Sequence, residues 1–161
     1  MWLDCEVVLF DLDDTLVDHR GAVRDALVSW VVGWGVGEVV EVERRWRELE
    51  HHYYGLFQAR VLRMVEQRRA RVRALLAHLG LDDAAADSVF GEYLAAYQRC
   101  WRAFPDAVGV VERALAAGVV VGVLTNGEHE QQAAKLEATG LAREGLRLIA
   151  SSRLPAAKPD P

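Results

Sequence analysis

Only two of the 161 residues are cysteines, Cys5 and Cys100, and they make no spaced disulfide framework. So few thiols fit a reducing compartment, and a cytoplasmic location is expected. No apolar run approaches the length of a membrane span. The opening stretch "MWLDCE" has no basic region leading into a hydrophobic one, so no export signal is expected. Basic residues are not in excess either. The formal net charge is −5 and the pI near 5.5, which argues against a nucleic acid polymer as partner, as the missing span argues against a membrane. Lysine is scarce: of 19 Lys and Arg residues, only Lys135 and Lys158 are lysines. Internal repeats and low-complexity linkers are also absent.

What is present describes a soluble globular chain of one ordinary domain, or a small core with an insertion. Hydrophobic residues make up 52% and charged residues 27%. "VVLF", Val7 to Phe10, is short, β-branched and apolar throughout, the pattern of a parallel strand buried on both faces. "VVVGVL", Val119 to Leu124, repeats it, and "LRLIA", Leu146 to Ala150, repeats it more weakly. Helical stretches precede and follow the second of these: "PDAVGVVERALAAG", ending at Gly118, and "EHEQQAAKLEATG", ending at Gly140. Helix, strand, helix, strand predicts an α/β fold with a parallel Rossmann-like sheet. Residues 19–104 carry no strand pattern but four amphipathic stripes. One runs Val39, Val42, Trp46, Leu49, Tyr53 and Leu56; another follows Asp82, a candidate N-cap, through Val89, Tyr93, Tyr97 and Trp101. The expected organisation is a discontinuous core, residues 1–18 and 105–161, interrupted by an all-helical insertion at 19–104.

"FDLDDTLVD" raises the chemical question, because Asp11, Asp13 and Asp14 crowd behind the first strand. Ligands of open parallel sheets bind beyond the carboxyl ends of the strands, so Asp11 and Asp13 are expected at that mouth. Two residues apart in extended backbone, they should point the same way and could share a divalent cation. A bare "DxD" is as readily an acidic turn or helix cap. The second strand ends in "TNG", Thr125 to Gly127, directly before a helix, where a hydroxyl and backbone N–H groups suit an anion. The third leads into "KPDP", where Lys158 would balance a phosphate. Each signal is weak alone; acid, hydroxyl and lysine at three successive strand ends are strong together.

These residues resemble the haloacid dehalogenase (HAD) superfamily: "DLDDT" its first motif, "LTNG" its second and "KP" its third. The insertion resembles the α-helical cap of C1-capped members, and "LTNGEHEQQAAKLEATGL" is close to the nucleotide 5′-phosphatase-like ones. The resemblance implies a magnesium-dependent phosphomonoester hydrolase acting through an aspartyl-phosphate. In it Asp11 is the nucleophile, Asp13 the general acid and base, and Lys158 the third catalytic group. Leu12, Asp13, Thr125, the Asn126 amide and Lys158 would hold the phosphoryl group, with Mg2+ on the Asp11 carboxylate and the Asp13 carbonyl. The implied partner is a small phosphorylated metabolite, a nucleoside monophosphate before a sugar phosphate, for a monomer or homodimer. Substrate choice is expected in the cap. Chemically, a carboxylate nucleophile splits hydrolysis into two easier displacements. The second carboxyl must give and take a proton, for which an environment that raises its pKa is expected.

The family closes its site with a fourth acidic motif on a further strand, which this sequence lacks; Asp160 is no substitute. The C-terminal part of the core therefore reads as missing. A chain ending at Pro161 is expected to bind magnesium poorly and to expose sheet edge after Leu146–Ala150. Alternatives are a 2-haloacid dehalogenase, which has no need of Asp13, a phosphomutase of the same superfamily, or a non-catalytic metal- or partner-binding relic. Other features read as structural. "GWGVG", Gly33 to Gly37, is expected as a turn between helices, His51 and His52 with Glu48 as non-ligands, and "RRARVR", Arg68 to Arg73, as a solvated face. His129 reads as helix surface, Cys5 as a strand neighbour, and Tyr53, Tyr54, Tyr97 and Trp101 as cap packing.

Overall fold

The computed structural model describes residues 6–35 and 37–159; Cys5 and Asp160 lie outside them. Three strands form one parallel sheet in the order β1 (Val7–Phe10), β2 (Val120–Thr125), β3 (Arg147–Ala150). Val7 pairs with Val120, and Gly122 with Arg147, so the carboxyl ends of all three strands lie at one edge of the sheet. The chain is α/β, as its alternating pattern predicts. It divides into two compact units, residues 1–20 with 101–161, and 21–100, where the sequence had placed the insertion at 19–104.

The first unit holds the sheet with α5 (Ala107–Ala116) and α6 (His129–Ala138). Its core joins Leu12, Leu16, Val17, Ala107, Val111, Val123, Leu136 and Leu141, with Phe10 and Leu148 packed against it. α6 stops where expected. Gly140 takes φ 70°, a left-handed conformation that costs glycine little, and the N–H groups of Leu141 and Ala142 return to the Leu136 carbonyl at 2.9 and 3.0 Å.

β1 departs from the expectation of burial on both faces. Val7 is 53% and Leu9 55% exposed, on the face they share with Val120 of β2, itself 42% exposed; β1 pairs only with β2 among the described residues. β3 is the other edge strand and likewise pairs only with β2 among the described residues, as anticipated, with Leu148 and Ile149 half-buried and Ala150 buried.

The helical unit contains α1 (His19–Val31) from Gly21 onward, α2 (Val39–Gln58), α3 (Met64–Leu75) and α4 (Asp83–Arg99). Four stripes become four helices because each has one apolar face to bury. Trp46 lies fully buried among Trp30, Phe90 and Tyr93, whose ring centroids stand 5.5, 6.4 and 4.6 Å away. Asp82 caps α4 by accepting the Ala85 N–H at 2.8 Å. Gly35, in the turn after α1, takes φ 61°.

The arginine run is not a solvated face. Arg71 is buried, stacks 4.4 Å from the Trp46 ring centroid and pairs with Glu50 at 2.8 Å. Arg69 bridges to Asp83 and Asp87 at 2.5 and 2.6 Å, and Arg73 also reaches Asp83. A helix packed between two others has little free face, and a planar guanidinium can stack on a ring while its edge meets a carboxylate. Glu66, at the start of α3, is held down to about 2 by hydrogen bonds from the Arg63 side chain and the Arg63 N–H. Hydrogen bonds from Arg73 and Arg69 likewise lower Asp83 and Asp87.

A carboxyl whose pKa falls on folding stabilises above its ordinary value and loses that contribution as pH falls through the folded one. Glu66→Gln is therefore expected to melt below wild type above about pH 4.5, with the difference fading toward pH 2. Melting curves of both proteins across that range, followed by circular dichroism, test it. A gap that widens on acidification would contradict the assignment.

Candidate active site

The loop after β1 is wound on one carbonyl. The Leu12 carbonyl accepts the N–H groups of Thr15, Leu16 and Val17 at 3.3, 2.9 and 3.0 Å, while the Leu12 side chain is fully buried. Leu12 can therefore offer a ligand backbone atoms only. Burying Leu12 leaves the side chains on either side of it, Asp11 and Asp13, partly exposed at 43% and 32%. Asp14 is not part of the site. Its backbone turns to φ 59°, and its carboxylate accepts the Arg20 N–H at 2.9 Å and pairs with the Arg20 guanidinium at 3.0 Å. Crowding of three acids is resolved by giving each its own cation.

Lys158 serves Asp11. Its Nζ donates to Asp11 Oδ1 at 2.5 Å and to the Leu124 carbonyl at 2.7 Å, joining the ends of β1 and β2. Asn126 sets its position. The side-chain amide donates to the Lys158 carbonyl at 3.0 Å, and its oxygen accepts the Lys158 N–H at 2.7 Å. The Asn126 side chain is thus engaged with the backbone of the lysine-bearing loop.

Asp13 is held from α6. Lys135 Nζ donates to its Oδ1 at 2.5 Å and Gln132 Nε2 to its Oδ2 at 3.0 Å, while His19 Nδ1 stands 4.0 Å away. Burial works to raise this carboxyl, but the neighbouring Lys135 charge, then His19 and the two hydrogen bonds, outweigh it, and its pKa lies below the ordinary value. The expectation of a raised pKa at this residue is not met, because a buried ammonium at contact distance favours the carboxylate. The Asp11 and Asp13 carboxylates are each paired with a different lysine.

Thr125, buried at the end of β2, accepts from Gln132 Nε2 at 2.7 Å and from the Gly127 N–H at 3.3 Å. A hydroxyl that accepts twice still has its own hydrogen to donate, which suits an anionic oxygen. The start of α6 is less open than the sequence suggests. The His129 N–H is taken by Ser152 Oγ at 3.0 Å, and Arg153 pairs with Glu130 at 2.8 Å, so the turn after β3 is fastened to this helix.

Thus Asp11 meets Lys158, and Asp13 is linked to Thr125 through Gln132. The sequence reading overlooked Gln132 and Lys135. The available signal was the rarity of lysine and the three-residue spacing, which sets both side chains on one face of α6. Trp101 also lies outside the helical unit, its ring centroid 5.7 Å from Lys135 Nζ. Among the described residues no three His, Cys, Asp or Glu side chains converge as a metal site. His51, His52 and Glu48 form none; Glu48 pairs with Arg44 and Arg45 and His52 packs on Tyr53. The described residues contain no helix long and apolar enough to cross a membrane.

Comparison with known proteins bears on what this site belongs to. A family model for haloacid dehalogenase-like hydrolases matches residues 5–161. No curated protein matches the sequence. Among solved structures, the HAD-hydrolase YfnB from Bacillus subtilis, bound to magnesium, shares 20% identity at a TM-score of 0.78 over 92% of this chain and 66% of its own. An L-2-haloacid dehalogenase from Xanthobacter autotrophicus with chloropropionic acid covalently bound shares 20% identity at 0.69, covering 97% of this chain and 60% of that one. A protein from Haemophilus somnus assigned as a phosphoglycolate phosphatase shares 18% at 0.63, covering 98% and 67%. The chain spans about two thirds of the length of these structures. Likeness at such identities is likeness of fold.

Proposed function

The chain belongs to the haloacid dehalogenase-like hydrolase family, and on that premise we propose that it is a phosphomonoester hydrolase acting through an aspartyl-phosphate on Asp11. The observation that carries this reading is the pair of carboxylates after β1, one on Lys158 and the other on Lys135 and Gln132. Displacement at carbon by a haloacid dehalogenase needs a nucleophile and a water. It gives no reason to keep a second acid and hold it with two buried side chains.

Asp11 attacks phosphorus and the leaving oxygen takes a proton from Asp13; in the second step Asp13 takes a proton from the attacking water. Lys158, positioned by Asn126, and the Thr125 hydroxyl balance the charge on the phosphoryl oxygens. Asp13 lies below its ordinary pKa before substrate arrives, so a bound ester must supply the negative charge that lets it carry a proton. Magnesium fits the donors present. The Asp11 carboxylate and the Asp13 carbonyl are oxygen ligands of the kind a small hard dication takes while keeping most of its waters. Bound there it would offset charge on the transferring group. The substrate class proposed is a small phosphorylated metabolite, nucleoside monophosphates before sugar phosphates, with cytoplasmic location and a monomeric or homodimeric state part of the same reading.

A 2-haloacid dehalogenase is the second reading, favoured by the fold shared with the Xanthobacter enzyme. One screen separates the two. The full natural protein is assayed with magnesium against nucleoside monophosphates, sugar phosphates and p-nitrophenyl phosphate, and in parallel against 2-chloropropionate. Phosphate release with no chloride release is expected. Chloride release alone would overturn the assignment.

A further inference from the structure

We propose that Lys135 and Gln132 are positioning residues for the reaction, acting together from one face of α6 to lock the Asp13 carboxylate in a single rotamer and tie it to Thr125. The inference rests on the hydrolase reading above and extends it to two residues outside the motif residues.

Both oxygens of Asp13 are held, and by different side chains: Oδ1 by Lys135 at 2.5 Å and Oδ2 by Gln132 at 3.0 Å. One donor would leave the carboxylate free to rotate about it; two donors on two oxygens fix both side-chain torsions of Asp13. Gln132 Nε2 also donates to Thr125 Oγ1 at 2.7 Å, so one amide nitrogen spans the acid after β1 and the hydroxyl ending β2. Neither holder is a surface residue; each is 1% exposed. A lysine this buried is costly, and apolar residues of similar volume often replace such pairs with no loss of stability. Its presence beside Trp101 is therefore poorly explained by packing alone.

Gly127 shows that the fold makes room for this arrangement. A Cβ on Gly127 would stand 2.5 Å from Cγ, Cδ and Nε2 of Gln132, closer than atoms tolerate. Only glycine in "TNG" lets the Gln132 amide lie against the strand end and reach both oxygens. A general acid must stay within hydrogen-bond reach of the leaving oxygen, and small misplacements cost rate steeply.

The test is a kinetic double-mutant cycle on the full natural protein with p-nitrophenyl phosphate and magnesium. Lys135→Met is expected to lower kcat by about 10- to 100-fold with KM changed less than about threefold, since it removes a hold on the acid and no contact to substrate. In an Asp13→Asn background the same change is expected to have almost no further effect, because its route of action is gone. Gln132→Met, near in volume and lacking the donor, should give a smaller loss that shrinks in that background to the part owed to its tie to Thr125, and it serves if Lys135→Met fails to fold. Equal fold-losses in both backgrounds would overturn the inference while leaving the hydrolase reading in place, as would folded variants with wild-type kcat. A wild-type protein that hydrolyses no phosphate monoester would overturn both.

Discussion

Asp11→Asn is expected to reduce phosphatase turnover by roughly 10⁴-fold or more, the scale on which loss of a covalent nucleophile appears, while leaving the protein folded. The chemical half follows from the amide, which cannot form the phosphorylated intermediate. The structural half follows from exposure. Asp11 and Lys158 are 43% and 34% exposed, so water can solvate the released ammonium, which also keeps its bond to the Leu124 carbonyl. Steady-state rates beside thermal melts check both halves. A variant that keeps a tenth of wild-type turnover would remove Asp11 from the role, and one that unfolds would show the pair to be structural.

Asp13→Asn is expected to behave differently on both counts. Loss of the proton carrier should slow turnover by about 10² to 10⁴, less than loss of the nucleophile. Stability should suffer more, because the ammonium left behind belongs to Lys135, which is 1% exposed. Breaking a buried pair costs about 3–5 kcal/mol; the 32% exposure of Asp13 places this case toward the lower end. Adding Lys135→Met should restore much of that stability without restoring activity, since it removes the stranded charge. Denaturant unfolding of wild type, both single variants and the double variant measures this. Single and double variants of equal stability would show that the two residues are not energetically coupled.

The contrast between the aspartates shows what could be read beforehand. "VVLF", "VVVGVL" and "LRLIA" specify three strands through β-branched apolar runs, and α5 and α6 run out at Gly118 and Gly140 because left-handed backbone suits that residue. Asp11, Thr125 and Lys158 were legible because motifs at strand ends sit close to one another in any parallel sheet. Lys135 was not. On a helical pattern it reads as one more solvated charge, and only the packing of α6 against the loop after β1 turns it inward onto Asp13. Arg71 was missed likewise, since burial on α3 depends on Trp46 and Glu50, 25 and 21 positions away in sequence.

By itself, then, the sequence determined the local matters: which segments are strand or helix, where helices stop, and which acids and bases stand at the strand ends. These follow from side-chain shape, backbone freedom and periodicity, all properties of neighbouring residues. Pairing was decided only by tertiary structure. Helix packing left one face of the sheet at Val7, Leu9 and Val120 exposed. Three crowded acids were parted among Lys158, Lys135 and Arg20, and the Asn126 side chain became a brace for the Lys158 backbone. The physical reason is that Coulomb attraction and hydrogen bonding act over a few ångströms of space, and the chain's fold, not its order, sets which charges come that near.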